Sequence, residues 1–152
     1  MRAKNRNGNL KLYTIGFTRK SAEEFFSTLA RAHVRRLIDV RLSNRSQLAG
    51  FSKRDDLAYF ARTICRIDYR PMPELAPTRA MLDSYRKSKG SWQSYECEFL
   101  ALMAERAIEK IDRRELDGGC LLCSEALPHR CHRRLVGEYL REKWGDVAIE
   151  HL

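Results

Sequence analysis

Five short runs rich in apolar or β-prone residues punctuate the chain: Leu12 to Phe17, Leu37 to Val40, Ile67 to Arg70, Cys120 to Cys123 and Val147 to Ile149. Each is shorter than an ordinary helix. The most apolar lack the alternation of a half-solvated strand, which is the pattern of strands buried on both faces. The stretches between them have helical periodicity. Phe25, Phe26, Leu29, Ala30 and Val34 follow Ser21 and the pair Glu23-Glu24, as in a helix with an acidic first turn. Ser52 is placed to cap a second helix, with Leu57, Phe60, Ala61 and Ile64 on its inner side. Thr78 starts a third that runs to about Lys87 and is closed by Gly90. Ser91 to about Arg113 reads as one long helix, with Tyr95, Phe99, Leu102, Met103, Ala107 and Ile108 along one stripe. Cys131 to Trp144 is the last helix, stopped by Gly145. Strands alternating with helices predict an α/β protein: a single-domain three-layer sandwich with a mainly parallel sheet and helices on both faces.

With 152 residues the chain suits one domain. Residues 1–10 are polar and are expected to form a flexible tail, with residues 11–152 as the folded unit. No apolar run approaches the roughly 20 residues that a bilayer span requires. No apolar segment of signal-peptide type follows the basic start, so a cytoplasmic protein is expected. Five cysteines, at 65, 97, 120, 123 and 131, are an odd number in such a chain. They argue for free thiols rather than a disulfide framework. The 29 Lys and Arg against 20 Asp and Glu give a net charge of +9, which attracts polyanions.

In sheets of this kind ligands bind beyond the carboxyl ends of the strands. Three segments therefore converge: Gly16 to Arg19, Asp39 to Arg45, and Cys123 to Arg133. The last is the richest in chemistry. Cys131, at the start of a helix and beside His132 and Arg133, is expected to have a lowered thiol pKa. Cys131 or Cys123 is the candidate nucleophile, with His132 and Glu125 moving protons. Arg41, Arg45 and Arg133, with Asp39 and Ser43, are the candidate substrate-binding residues. Cys120 and Cys123 stand three apart in a strand and so face opposite ways, which makes Cys120 a core residue. A zinc site from Cys120, Cys123, Cys131 and His132 has one Cys-x-x-Cys pair. That pair lies in an apolar run rather than a turn, and no second pair exists. No metal and no cofactor is expected. The six residues between Cys123 and Arg130 are one more than in the phosphatase signature.

Several segments together resemble a family known as domain of unknown function 488. They are Tyr13-Thr14-Ile15-Gly16-Phe17, Leu37-Ile38-Asp39-Val40-Arg41, Phe51-Ser52-Lys53, and Tyr69 through Pro73 and Leu75. The most specific is Leu121-Leu122-Cys123-Ser124-Glu125 followed by Cys131-His132-Arg133. The closing Val147 to Leu152 is similar to the family's last strand. Phe17 stands where the family often has histidine, and Leu127-Pro128 replaces its usual Asp-Pro. The resemblance implies an α/β fold and a cluster of Asp39, Arg41, Cys123, Glu125, Cys131, His132 and Arg133. It implies no activity.

Two function classes fit these residues. One is an enzyme acting on a phosphate-bearing substrate, a nucleotide or nucleic acid, through the Cys/His/Arg/Glu group. The other is a non-catalytic nucleic-acid-binding module in which the cysteines are structural.

Overall fold

A computed structural model describes residues 9–43, 50–87, 90–124 and 130–152. Arg45, Glu125 and the Leu127-Pro128 pair lie outside the described residues, as do residues 1–8 of the expected tail. The strands are β1 (Leu10–Gly16), β2 (Arg36–Asp39), β3 (Asp68–Pro71), β4 (Gly119–Cys123) and β5 (Val147–His151). The helices are α1 (Ala22–Arg31), α2 (Arg54–Phe60), α3 (Arg79–Lys87), α4 (Trp92–Glu105), α5 (Arg113–Leu116) and α6 (His132–Trp144). The strands form one sheet in the order β3-β2-β4-β1-β5, and every pairing is parallel. None of the described helices is long and apolar enough to cross a membrane.

The order of the strands decides where the helices go. From β1 the chain moves to β2 and then β3, in one direction across the sheet. From β3 it returns to β4 and then passes β1 to reach β5. Crossovers of one hand that run in opposite directions must lie on opposite faces. Phe25, Phe26 and Leu29 of α1 and Leu57 of α2 accordingly pack with Ile15, Leu37, Cys120 and Leu122 on one side. Phe99 and Met103 of α4 and Leu135, Val136 and Leu140 of α6 pack with Leu12, Ile38 and Leu121 on the other. Cys120 and Cys123 face opposite sides, as strand geometry requires. All five residues of β4 are buried, as befits a strand covered on both faces.

Local chemistry sets most boundaries. Ser21 Oγ accepts the Glu24 N–H at 3.1 Å while the Glu24 carboxylate accepts the Ser21 N–H at 3.3 Å, a complete capping box on α1. Ala30 is nonetheless exposed, and Val34 is buried beyond the end of the helix. β1 starts at Leu10, inside the expected tail, because Leu10 pairs with Val147 and its N–H donates to the Asp146 carbonyl at 2.7 Å. Ser52 does not cap α2. It closes a 3-10 turn, and Lys53 stands at the cap with no side-chain hydrogen bond. α2 then widens into a π-helical turn, Ala61–Cys65, ended by Arg66 at φ 56°. The wider turn shifts the phase of the inner face. Ile64, expected inside, is thereby 56% exposed.

The long helix expected from Ser91 breaks at Glu105. Ala107 takes a left-handed φ of 50°, a 3-10 turn follows, and Asp112 caps the short α5. A straight helix would carry Leu116 about 12 Å beyond Ile108. The break instead returns both side chains to the same core.

Gly118 and Gly119 make the turn into β4. Gly118 needs its φ of 74°, and a Cβ on Gly119 would stand 2.5 Å from Ile38 Cδ1 and 3.0 Å from the Leu116 carbonyl oxygen. Gly119→Ala is expected to destabilise the fold by about 1–3 kcal/mol through overpacking. Gly50→Ala, with nothing within 4 Å of the added carbon, is expected to stay within about 0.5 kcal/mol. Urea denaturation compares the two.

At the far end of the sheet His151 Nδ1 and Thr14 Oγ1 share a hydrogen bond of 2.6 Å. Burial, and then the charge of Arg133, lower the His151 pKa. The unfolded chain takes up this proton first, near pH 6.5. The histidine's contribution is therefore complete above that pH and is lost as the pH falls through the lower, folded-state pKa. His151→Asn is expected to flatten the acid side of the stability-against-pH curve, measured by thermal unfolding across a pH series.

Candidate functional site

Chain departs from β2 toward β3 and from β4 toward β5, so the connections diverge and leave a crevice beyond these adjacent strand ends. Three elements fill it. The end of β2 supplies Asp39, Val40 and Arg41. The end of β4 supplies Cys123 and Ser124. The start of α6 supplies Cys131 at the cap and His132 as the first helical residue.

Arg41 folds back on Asp39. Its backbone N–H and Nε donate to Asp39 Oδ1 at 3.1 and 2.9 Å, and Nη2 donates to Oδ2 at 2.8 Å. Tyr69 Oη donates to the same Oδ2. The Arg41 and Asp39 side chains are 3% and 0% exposed. Such a pair is held only where geometry and hydrogen bonds offset the desolvation of both charges. Burial alone would lower the Arg41 pKa, but the hydrogen bonds and charge of Asp39 raise it. Burial and the same carboxylate push the Tyr69 hydroxyl up. The guanidinium also lies over the Phe17 ring, 5.3 Å from its centroid. One donor is left over: Arg41 Nη1 is buried and has no hydrogen-bond partner among the described residues.

The second half of the site is a group of soft donors. His132 Nε2 lies 2.6 Å from the Val40 carbonyl oxygen. A carbonyl only accepts, so Nε2 carries the proton, and Nδ1 faces Cys123 Sγ at 3.7 Å. One ligand atom from each of Cys123, Cys131 and His132 lies within 4.8 Å of the other two. The three residues are 4%, 2% and 7% exposed. The imidazole packs on Phe99 at 5.6 Å. From there a run of rings continues through Tyr95 at 6.2 Å and Trp92 at 5.1 Å to Tyr85 at 5.8 Å.

Several of these groups line a cavity of about 200 Å³. Cys123, Cys131, His132, Ser43 and Arg41 line it, as do the arginines Arg79, Arg86 and Arg130. Sequence reasoning missed Arg79 and Arg86. Their seven-residue spacing, with Leu82 between, places them on one face of α3, and that was the available signal.

Two expected substrate contacts are not in the cavity wall. Arg133 is fully buried, and its Nη1 donates to Cys131 Sγ at 3.9 Å. Asp39 accepts hydrogen bonds from Arg41 and Tyr69, and these hold the arginine in place. The expected lowering of the Cys131 thiol pKa is also overturned. Its position at the helix start is as expected, but the neighbouring Cys123 and burial together push the thiol up, against the opposing charge of Arg133. For His132, burial lowers the pKa, but Cys123 and the Val40 carbonyl outweigh it and the net shift is upward.

The family model described as "Domain of unknown function DUF488" matches residues 21–140, which include every residue named in the cavity wall. No curated protein and no solved structure matches the chain.

Removing one partner of a buried ion pair strands the other charge. Asp39→Ala is expected to cost about 3–5 kcal/mol, and Tyr69→Phe about 0.5–1.5 kcal/mol. Chemical denaturation reads both. An Asp39→Ala protein as stable as the parent would show that Arg41 reaches water.

Proposed function

Since the chain belongs to the family described as Domain of unknown function DUF488, whose description names no reaction, we propose from the cavity alone that the protein is an enzyme acting on a small phosphate-bearing substrate. The observation that carries this reading is Arg41. Arg41 lines the cavity, its guanidinium is locked by Asp39 and Tyr69, and its buried Nη1 has no hydrogen-bond partner among the described residues. A buried donor without a partner costs free energy, and an anionic oxygen is the acceptor that recovers it. Arg79, Arg86 and Arg130 add positive charge around the same hollow, and the amino end of α6 opens on it.

The size of the hollow narrows the ligand. About 200 Å³ takes a phosphate with a small organic group, not a duplex. Cys123 and His132 form the chemical centre, since they face each other and both line the wall. Cys123 suits this role better than Cys131, whose thiol is pushed up. A reducing compartment such as the cytoplasm suits a protein whose five cysteines are all free.

Calorimetric titration with inorganic phosphate and with a nucleoside monophosphate tests the reading. Arg41→Lys, which keeps the charge but loses the bidentate fork, is expected to weaken binding by about tenfold or more. The double change Arg79→Ala and Arg86→Ala, at exposed positions that leave the core intact, is expected to weaken it several-fold. Unchanged affinity in both variants would overturn the proposal. Binding of an oligonucleotide that falls steeply with salt and is not displaced by phosphate would favour a binding module instead.

A further inference from the structure

We propose that Cys123, Cys131 and His132 bind a zinc ion, with three protein ligands and a fourth position open to the Arg41 cavity. No metal is expected from the sequence, because its Cys-x-x-Cys pair lies in an apolar run and has no second pair, and the two cysteines face opposite sides of the sheet. Cys120 lies against α1 and α2. The structure replaces that pair with another grouping. Cys123 at the end of β4 meets Cys131 and His132 at the start of α6, and all three donor atoms lie within 4.8 Å of one another.

The spacing suits a tetrahedral site. Zinc bonds of about 2.3 Å to sulfur and 2.0–2.1 Å to nitrogen place ligand atoms roughly 3.5–3.8 Å apart. Cys123 Sγ and His132 Nδ1 already stand 3.7 Å apart. The outer contacts are also those of a metal ligand set. His132 gives its Nε2 proton to the Val40 carbonyl at 2.6 Å, which fixes the tautomer and leaves the Nδ1 lone pair facing the sulfur. Arg133 donates to Cys131 Sγ at 3.9 Å from within the core, a contact that suits a thiolate. Two thiolates offset the charge of one divalent ion, so the buried centre is neutral overall.

Two sulfurs and one imidazole are a soft set that favours zinc over magnesium or calcium. Three ligands in place of four are the arrangement of catalytic zinc. The ion would have its open position beside the anion site, where it would polarise a bound phosphate oxygen or water. Ion binding stands on the ligand atoms alone. The polarising role rests on the anion reading above.

Cobalt(II) titration of the chelator-treated full chain, followed by absorption, separates the two. One equivalent is expected to give sulfur-to-cobalt charge-transfer bands and tetrahedral d–d bands. Zinc is expected to displace the cobalt, and elemental analysis of protein purified without chelator is expected to find one zinc per chain. Cys123→Ser and Cys131→Ser should each lose the charge-transfer intensity of one thiolate. Each should also weaken cobalt binding by more than the roughly 100-fold that loss of a supporting contact costs. Cys97→Ser, at an exposed position, serves as the control and should change neither. Circular dichroism checks that the variants fold. Cobalt bands without sulfur character, or unaltered bands in both serine variants, would overturn the site. Arg41→Lys should keep the bands. Phosphate should shift the d–d bands of the parent protein, and bands that ignore bound phosphate would overturn the open fourth position. Failure of phosphate to bind while the bands persist would remove the anion reading and leave the ion.

Discussion

The ion pair between Asp39 and Arg41 lies where the backbone ladder of β2 gives out. A carboxylate and a guanidinium so nearly sealed from water are tolerable only when each satisfies the other. Asp39 therefore fixes Arg41, Tyr69 fixes Asp39 from the neighbouring strand, and Phe17 roofs the guanidinium from beyond β1. One charge pair thus ties together the ends of β1, β2 and β3. It also holds in place the guanidinium of a residue that lines the cavity.

The sheet order supplies the rest. Because the chain leaves β2 and β4 in opposite directions, the two connections diverge from their shared end. The soft donors come from β4 and α6, and the arginine from β2. Neither half of the site is formed by a local motif. Val40 links them, since its N–H extends the ladder to Leu122 at 3.1 Å while its carbonyl oxygen accepts from His132. The strand that orients the arginine also orients the imidazole.

Much of this was legible in the residues. Cys120-Leu121-Leu122-Cys123 reads as a doubly covered strand because nothing in it tolerates water, and Ser21 with Glu24 marks a helix start through groups that cap each other. The convergence of Arg41, Cys123, Cys131 and His132 followed from the strand-end rule once the strands were recognised. What escaped were features set by tertiary packing. The π turn that exposes Ile64 and the left-handed Ala107 that breaks the long helix have no local signature, since the core selects them. The Cys131 prediction failed for a related reason. A helix start favours a thiolate, but the sequence does not reveal that a second sulfur and near-complete burial oppose it. The burial of Arg133 was hidden likewise, as a cation on a helix start is ordinarily solvated and this one is wholly inside.

The run of rings from Tyr85 through Trp92, Tyr95 and Phe99 to His132 has a mechanical meaning. Aromatic faces and edges in contact resist sliding, so the plane of the imidazole is clamped through α4 and not by its own helix alone. Tyr85, Trp92 and Tyr95 line the same cavity as His132, so this side of its wall and the imidazole are braced as one body.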